Sequence, residues 1–505
     1  MSWKTKVIAG VAIVALAMPG LAVADEATDA RIKALEEQLA LLQSQIADLK
    51  QSTANNIAAV RSDTTSTTVS VANGRPTIAS ADGNFTASFR GVFQLDAAHY
   101  DQDAPGPLAT DFRRGSLGDA VESDHARDLT DGANFRRARL GIEGKAFGAF
   151  DYNFLYDFGG SGNEEPGRIS AAWVQYGFPV ANLKLRIGAF SPPAGLEEAV
   201  STNGSLFAER ASPSETVRSI ASGDGRTAVG LFANGDNWTA SAALTGNVVG
   251  TATYDEQTGF VGRFSFTPYR RDNAVIHLGV NSSVIINPAA SGPDVAGTAV
   301  TSIRLRDRPE IRVDGARLID TGAIDADGLV ALGAEFGAQW KSLYVQAEYF
   351  DIDVDRKGPL ADPDFKGWYA QAAWTLTGES RRYATANATF DAPRPDKPFD
   401  LKTGGWGAWE LGLRYSRLDL NYLEGAAGTP PVAAAIRGGE QEIFTLGLNW
   451  YVNSVLRFQA AYQDVSVDRL SPGGAAFGAG TATPPAGAQV GQDFNIYSLR
   501  TQYAF

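Results

Sequence analysis

The chain has 505 residues, a formal net charge of −13 and no cysteine. The acidic balance excludes a general nucleic-acid partner. The absence of thiols excludes a disulfide framework, a thiolate metal site and a cysteine nucleophile.

Met1–Ala24 places Lys4 and Lys6 ahead of the apolar run Val7–Met18, followed by the small-residue end Ala22-Val23-Ala24. This pattern predicts a secretory signal peptide over 1–24, too short to anchor stably. Removing Lys4 and Lys6 from 44 basic residues leaves 42 against 57 acidic, a net charge of −15. No other stretch approaches the ~20 apolar residues that a spanning helix requires. An exported chain of this kind is either soluble or a barrel. Next, Ile32, Leu35, Leu39, Leu42, Ile46 and Leu49 recur at alternating steps of three and four, an a/d seam. Arg31 at g and Glu36 at the following e favour parallel strands. The spacing predicts a short coiled-coil stalk over 25–50, with an amphipathic helix lying on the rest of the protein as the alternative. Residues 51–83 are rich in Ser, Thr and Ala without a period and read as a linker.

From about residue 84 the pattern changes to period two. In FRRARLGIEGKAFGAFDYNFLYDFG (135–159), Ala138, Leu140 and Ile142 oppose Arg137, Arg139 and Glu143. After a tight turn, Tyr152, Phe154, Tyr156 and Phe158 oppose Asp151, Asn153, Leu155 and Asp157. Such alternation gives a strand two faces. Sixteen segments of this kind follow one another to residue 505, with lengths that fit the ~9–11 residues of a transmembrane strand. Connections after even segments are short and those after odd segments long, the asymmetry of outer-membrane barrels. The connection 377–404 alone breaks it. The sequence therefore predicts an all-β fold over 84–505, a sixteen-stranded antiparallel transmembrane β-barrel with an N-terminal coiled-coil helix. The closing run Tyr497-Ser-Leu499-Arg-Thr501-Gln-Tyr503-Ala-Phe505 is similar to the C-terminal signal of such barrels.

Five islands in the same order, FRRARLG (135–141), GAFSPPAGLEEAVSTNGSLFAER (188–210), WYAQAAWTLTGESRRY (368–383), GGWGAWELGLRYSRLD (404–419) and TLGLNWY (445–451), resemble the phosphate- and polyphosphate-selective porin family (porin O/P). The resemblance implies a homotrimer whose pores are narrowed by inward-folded segments, here about 191–224, 285–327 and 378–403.

Arginine suits an oxyanion because its planar fork matches the geometry and its charge is permanent. Candidates by strand face and loop position are Arg90, Arg136, Arg137, Arg139 and Arg210, with Ser201 and Thr202 as hydroxyl donors. The resemblance implies a central oxyanion site from Arg90, Arg136, Arg137, Ser201, Thr202 and Arg210. Adjacent Arg136 and Arg137 can share the lumen only if the strand starts late or bulges. The competing reading pairs these arginines with Glu143 and Glu209 as wall braces. Arg304, Arg306 and Arg308, spaced by two and continued by Arg312 and Arg317, resemble the family's arginine ladder. Asp307, Glu310 and Asp314 interrupt the row, and a self-neutralised loop is the alternative. Glu198 stands where phosphate-selective members have Lys, and Ser170 where they have an acid, so a less charged or larger solute is also open.

Asp351, Asp353 and Asp355 read as a wetted face rather than a cation site. His99, His125 and His277 show neither metal spacing nor a nearby nucleophile. The sequence thus predicts no catalysis, cofactor or metal. The expected function is a passive outer-membrane channel of a Gram-negative bacterium, passing inorganic phosphate or similar anions. Lipid and lipopolysaccharide would surround the barrel, and the stalk would lie in the periplasm. Alternatives are a general or weakly cation-selective diffusion porin, and a structural envelope tether acting through the coiled coil.

Overall fold

A computed structural model describes residues 26–64, 67–72, 74–104, 106, 111–113, 128–159, 167–180, 182–293, 300–473 and 484–505. The predicted signal peptide and His125 lie outside them. The chain divides near Thr67 into two units. In the first, a single helix α1 (Glu26–Thr64) carries the a/d seam, with Leu35, Leu39, Leu42, Ile46 and Leu49 all exposed. The helix runs well past the predicted stalk, because Gln51–Thr64 contains neither glycine nor proline to stop it. Further described residues of the segment read as a linker are strands rather than loop. Strands Thr67–Ala72 and Arg75–Ser80 form a hairpin, turned at Gly74 with φ +74°.

The second unit is a closed barrel of sixteen antiparallel strands. These are β1 (Thr86–Asp101), β2 (Gly132–Ala146), β3 (Phe150–Asp157), β4 (Arg168–Gly177), β5 (Lys184–Ala189) and β6 (Arg226–Asn234). They continue as β7 (Trp238–Val248), β8 (Thr258–Arg271), β9 (Ala274–Asn287), β10 (Ile324–Trp340) and β11 (Leu343–Arg356). The last are β12 (Asp364–Thr375), β13 (Ala408–Tyr422), β14 (Ile436–Tyr451), β15 (Leu456–Asp468) and β16 (Asp493–Ala504). β16 pairs with β1 from Asn495↔Asp101 to Ala504↔Val92. Phe505 extends the seam, its N–H donating to the Gly91 carbonyl at 3.0 Å and its carbonyl accepting from Gly91 N–H at 3.2 Å.

The alternation works as read in the membrane belt. On β11, Leu343, Val345 and Tyr349 are exposed on the outside while Tyr344, Gln346 and Glu348 are buried inside. Towards the outer mouth the polarity inverts. Asp353 and Asp355 point outward into water, whereas Phe350, Ile352 and Val354 point inward. These inward apolar residues join Leu329, Leu418, Val465 and Ile496 of other strands in a core completed by Leu305, Ile311 and Leu318 of the 288–323 connection. The lumen is therefore partly filled by a packed apolar core, which a uniformly wet interior did not anticipate. The reason is that inward-folded segments carry their own apolar residues and need a dry partner.

Candidate constriction site

The connection 190–225 carries two helices, α2 (Leu196–Ala199) and α3 (Ser212–Ala221). It bonds to lumen-facing side chains of strands far apart in the ring, Glu348 of β11 and Arg136 of β2 among them, which places it inside. Glu348 of β11 accepts from the N–H groups of Leu196 (2.6 Å) and Glu197 (3.0 Å) at the start of α2. Arg457 of β15 donates to the Leu206 carbonyl at 2.9 Å. Wall glycines receive the loop: a Cβ on Gly447 would lie 2.8 Å from the Phe207 ring, and one on Gly367 2.8 Å from Pro213. The 288–323 connection is held in the same way, by Arg414 and Ser416 on Glu310 and by Arg469 on the Leu318 carbonyl at 3.0 Å. The long connection 376–407 also turns inward. Arg263 of β8 donates to the carbonyls of Asn387 (2.8 Å) and Ala388 (3.0 Å), and Tyr383 meets His277 at 2.9 Å. All three segments that the resemblance marked thus fold into the lumen.

The arginines of β2 reach the interior through a bulge. Gln94 faces Arg137 and Leu95 faces Phe135, so Arg136 is the extra residue of the strand. Both side chains are buried, and both turn to Glu209 of the inner loop. Arg136 Nε is 3.0 Å and Arg137 Nη1 3.5 Å from Glu209 Oε1. Arg500 of β16 reaches the same oxygen at 2.6 Å, and Arg312 Nε lies 3.6 Å from Oε2. One carboxylate therefore sits among four guanidinium groups. Burial alone would raise the Glu209 carboxyl; these arginines outweigh it and hold the group well below the usual carboxylate range.

The network continues without a break. Arg312 and Arg218 meet Glu215 at 2.6 and 3.1 Å, and Arg210 and Arg218 meet Glu198 at 2.9 and 2.7 Å. Arg218 and Arg139 share Asp224, and Arg139 also binds Asp157 at 2.7 Å. With Arg500–Asp96, these ion pairs among the described residues join Arg136, Arg137, Arg139, Arg210, Arg218, Arg312 and Arg500 to Asp96, Asp157, Glu198, Glu209, Glu215 and Asp224. A neighbouring cluster has the opposite balance, with Arg414 between Glu197 (3.3 Å) and Glu310. Burial, only partly opposed by Arg414, pushes the Glu197 carboxyl up to about 7. Burial, against the pull of Arg312, likewise pushes Asp307 up to about 7.

Of the predicted oxyanion residues, Arg90, Ser201, Thr202 and Arg210 line one cavity of about 380 Å³. Arg137, Thr202 and Arg210 border a smaller space beside Glu209. Arg136 lines neither. Arg90 is half-buried and braced by Glu143 at 2.8 Å. The expected ladder is split. Arg304, half-buried, binds Asp320 at 2.7 Å, and Arg306 and Arg317 are also half-buried. After Arg308 the backbone turns, with Glu310 at φ +62°, so Arg312 leaves the row and enters the constriction network instead. Arg218, Arg414 and Arg500 escaped the sequence reading. Arg414 and Arg500 do share the inward face of their strands with Ser416 and Gln502.

The profile of phosphate-selective porin O and P matches residues 113–505. The chain belongs to that porin family. It is 28% identical to Porin O of Pseudomonas aeruginosa over 390 residues, 70% of this chain and 83% of that protein. It is 26% identical to a protein of Caulobacter vibrioides over 401 residues, 77% of this chain and 70% of that one. Among solved structures, an anion-selective porin from Comamonas acidovorans aligns with a TM-score of 0.44 at 12% identity, covering 83% of this chain and 100% of that one. As a member of the porin O/P family, the chain is an outer-membrane barrel.

Proposed function

We propose that this porin is a passive channel preferring phosphate-like oxyanions, which cross at Arg90, Arg136, Arg137, Ser201, Thr202 and Arg210. The observation that carries this reading is the gathering of four guanidinium groups, those of Arg136, Arg137, Arg312 and Arg500, around one buried carboxylate, Glu209. A preorganised cationic wall in a low-dielectric passage focuses field on an entering anion despite the acidic whole. Glu209 occupies the kind of place an oxyanion would take, so a permeant anion competes with an internal carboxylate and binds weakly enough to leave. Arg304, Arg306, Arg308 and Arg317 draw anions inward from the outer mouth, and Arg312 adds its charge at the inner network. The family supports the phosphate preference, and a homotrimer with a periplasmic α1 stalk is the assembly it suggests.

A second reading, a general or weakly cation-selective pore, is favoured by the carboxylate partners that Arg90, Arg136 and Arg210 each possess. Planar-bilayer recordings in a KCl gradient separate the two. The proposed function predicts a reversal potential of anion sign and current block by phosphate. A cation sign with indifference to phosphate would refute it.

A further inference from the structure

The lumen face of β4–β6 carries something the barrel does not require. Inward positions of a water-filled barrel are polar, yet Trp173 and Phe232 line the 380 Å³ cavity, with Phe190 buried behind them. All three rings gather on one guanidinium. The Cζ of Arg186 lies 4.2 Å from the Trp173 ring centroid, 4.7 Å from Phe232 and 5.2 Å from Phe190. Gln175 Oε1 accepts from Arg186 Nε (3.1 Å) and Nη2 (2.8 Å), which fixes the plane of the fork and leaves Nη1 without an acceptor among the described residues.

The charge is also unusual. Arg90, Arg139, Arg210 and Arg263 of the same cavity all have carboxylate partners. Among the described residues, no carboxylate lies within 4.0 Å of Arg186 or of Lys184, its neighbour on the same face of β5. The nearest acid in the chain of bonds is Asp151, on the far side of Gln175 at 3.1 Å. Uncommitted positive charge in this cavity thus sits on β5, beside aromatic surface. Lys184 opens β5 at the end of the strand away from the 190–225 loop, an end that the channel reading puts on the periplasmic side.

We propose that Lys184, Arg186, Trp173 and Phe232 form a second subsite that takes organic carboxylates with a flat apolar body, such as benzoate. The cations receive the carboxylate and the rings receive the body. Inorganic phosphate, fully hydrated and without an apolar face, gains nothing from the rings. This inference rests on the anion-channel reading and adds a solute class to it.

The test uses the full-length porin in planar bilayers, with chloride current inhibited by benzoate or acetate added on the periplasmic side. Stacking of the order found between aromatic groups predicts inhibition by benzoate at about tenfold lower concentration than acetate. Trp173→Ala and Phe232→Leu each bring that ratio towards one, whereas Trp173→Phe, which keeps a ring, retains most of it. Equal potency of the two carboxylates on the wild type, or a ratio that survives in both ring-removing variants, would overturn the subsite while leaving an anion-signed reversal potential intact. A cation-signed reversal potential on the same membranes would overturn the channel reading as well.

Discussion

Arg500 and Asp96 meet across the seam between β16 and β1, with Nε and Nη2 of the guanidinium each 2.5 Å from a carboxylate oxygen. The same guanidinium reaches Glu209 at 2.6 Å. One side chain therefore ties the closure of the wall to the position of the constriction loop. Mechanical and electrical roles coincide here, and the variants below separate them.

Glu209→Gln removes the carboxylate shared by four arginines and leaves their charge uncompensated. The chloride-to-potassium permeability ratio should rise about threefold or more through the stronger local field, read as a shift in reversal potential. Breaking a buried ion pair should also lower stability by about 3–5 kcal/mol, seen as earlier unfolding in denaturant.

Acidity should tune selectivity through Glu197 and Asp307, each pushed up to about 7. Both are acids whose folded value lies above the ordinary one. Their stabilising contribution is complete below the ordinary values of 4.5 and 3.8 and is lost as pH rises through about 7. Between pH 8.5 and 5 both become neutral while Glu209 stays ionised, so the constriction gains positive charge. Anion preference should increase on acidification with a midpoint near 7, and Glu197→Gln should remove a large part of that dependence. A flat selectivity profile across this window would contradict the assignment.

Gly447→Val places side-chain atoms where Phe207 now packs, 2.8 Å from the added Cβ. Overpacking should destabilise the barrel by about 1–3 kcal/mol and push the inner loop away from β14. Single-channel conductance should change by more than for Gly177→Ala, where the added Cβ meets nothing within 4 Å.

Arg381 binds both oxygens of Glu410, at 2.8 and 2.9 Å, and the Gly204 carbonyl at 2.9 Å, linking the inward connection 376–407 to the loop 190–225. Arg381→Ala leaves Glu410 buried and less well paired, for an expected loss of about 3–5 kcal/mol. Open-channel current noise should increase as the two segments lose their common anchor.

A peptide covering 26–64 should self-associate, because its exposed leucine seam leaves an isolated helix without a partner surface. Sedimentation equilibrium would report the stoichiometry. A porin lacking 26–64 should keep its conductance, whereas a tether would lose its envelope role.

All sixteen strands were legible because period-two alternation is local, and lipid on one side makes it strict. The β2 bulge was one of two arrangements that adjacent Arg136 and Arg137 left open, the other being a late strand start, and the extra residue turns both inward. What the chain hides is pairing across distance. Arg312 looked like the next rung of a row, but a turn at Glu310 sends it to Glu215. Arg414 and Arg500 stood within alternating strands, and nothing nearby in sequence revealed Glu197 or Asp96 as partners. The apolar filling of the lumen was concealed for a similar reason. Ile352 and Val354 alternate with acids as lipid-facing residues would, and only their height in the wall reverses the meaning.

The hydrogen bonds between Gly91 and Phe505 and the ion pair between residues 404 positions apart have a consequence for how such a molecule is made. Until residues 495–505 emerge, the growing sheet has two raw margins, each a row of unsatisfied amides that hydrocarbon cannot tolerate. A ring stable in hydrocarbon therefore requires the last strand to be present, so that those margins satisfy one another. A product cut short before β16 would have nothing to offer residues 92–101 and could not seal.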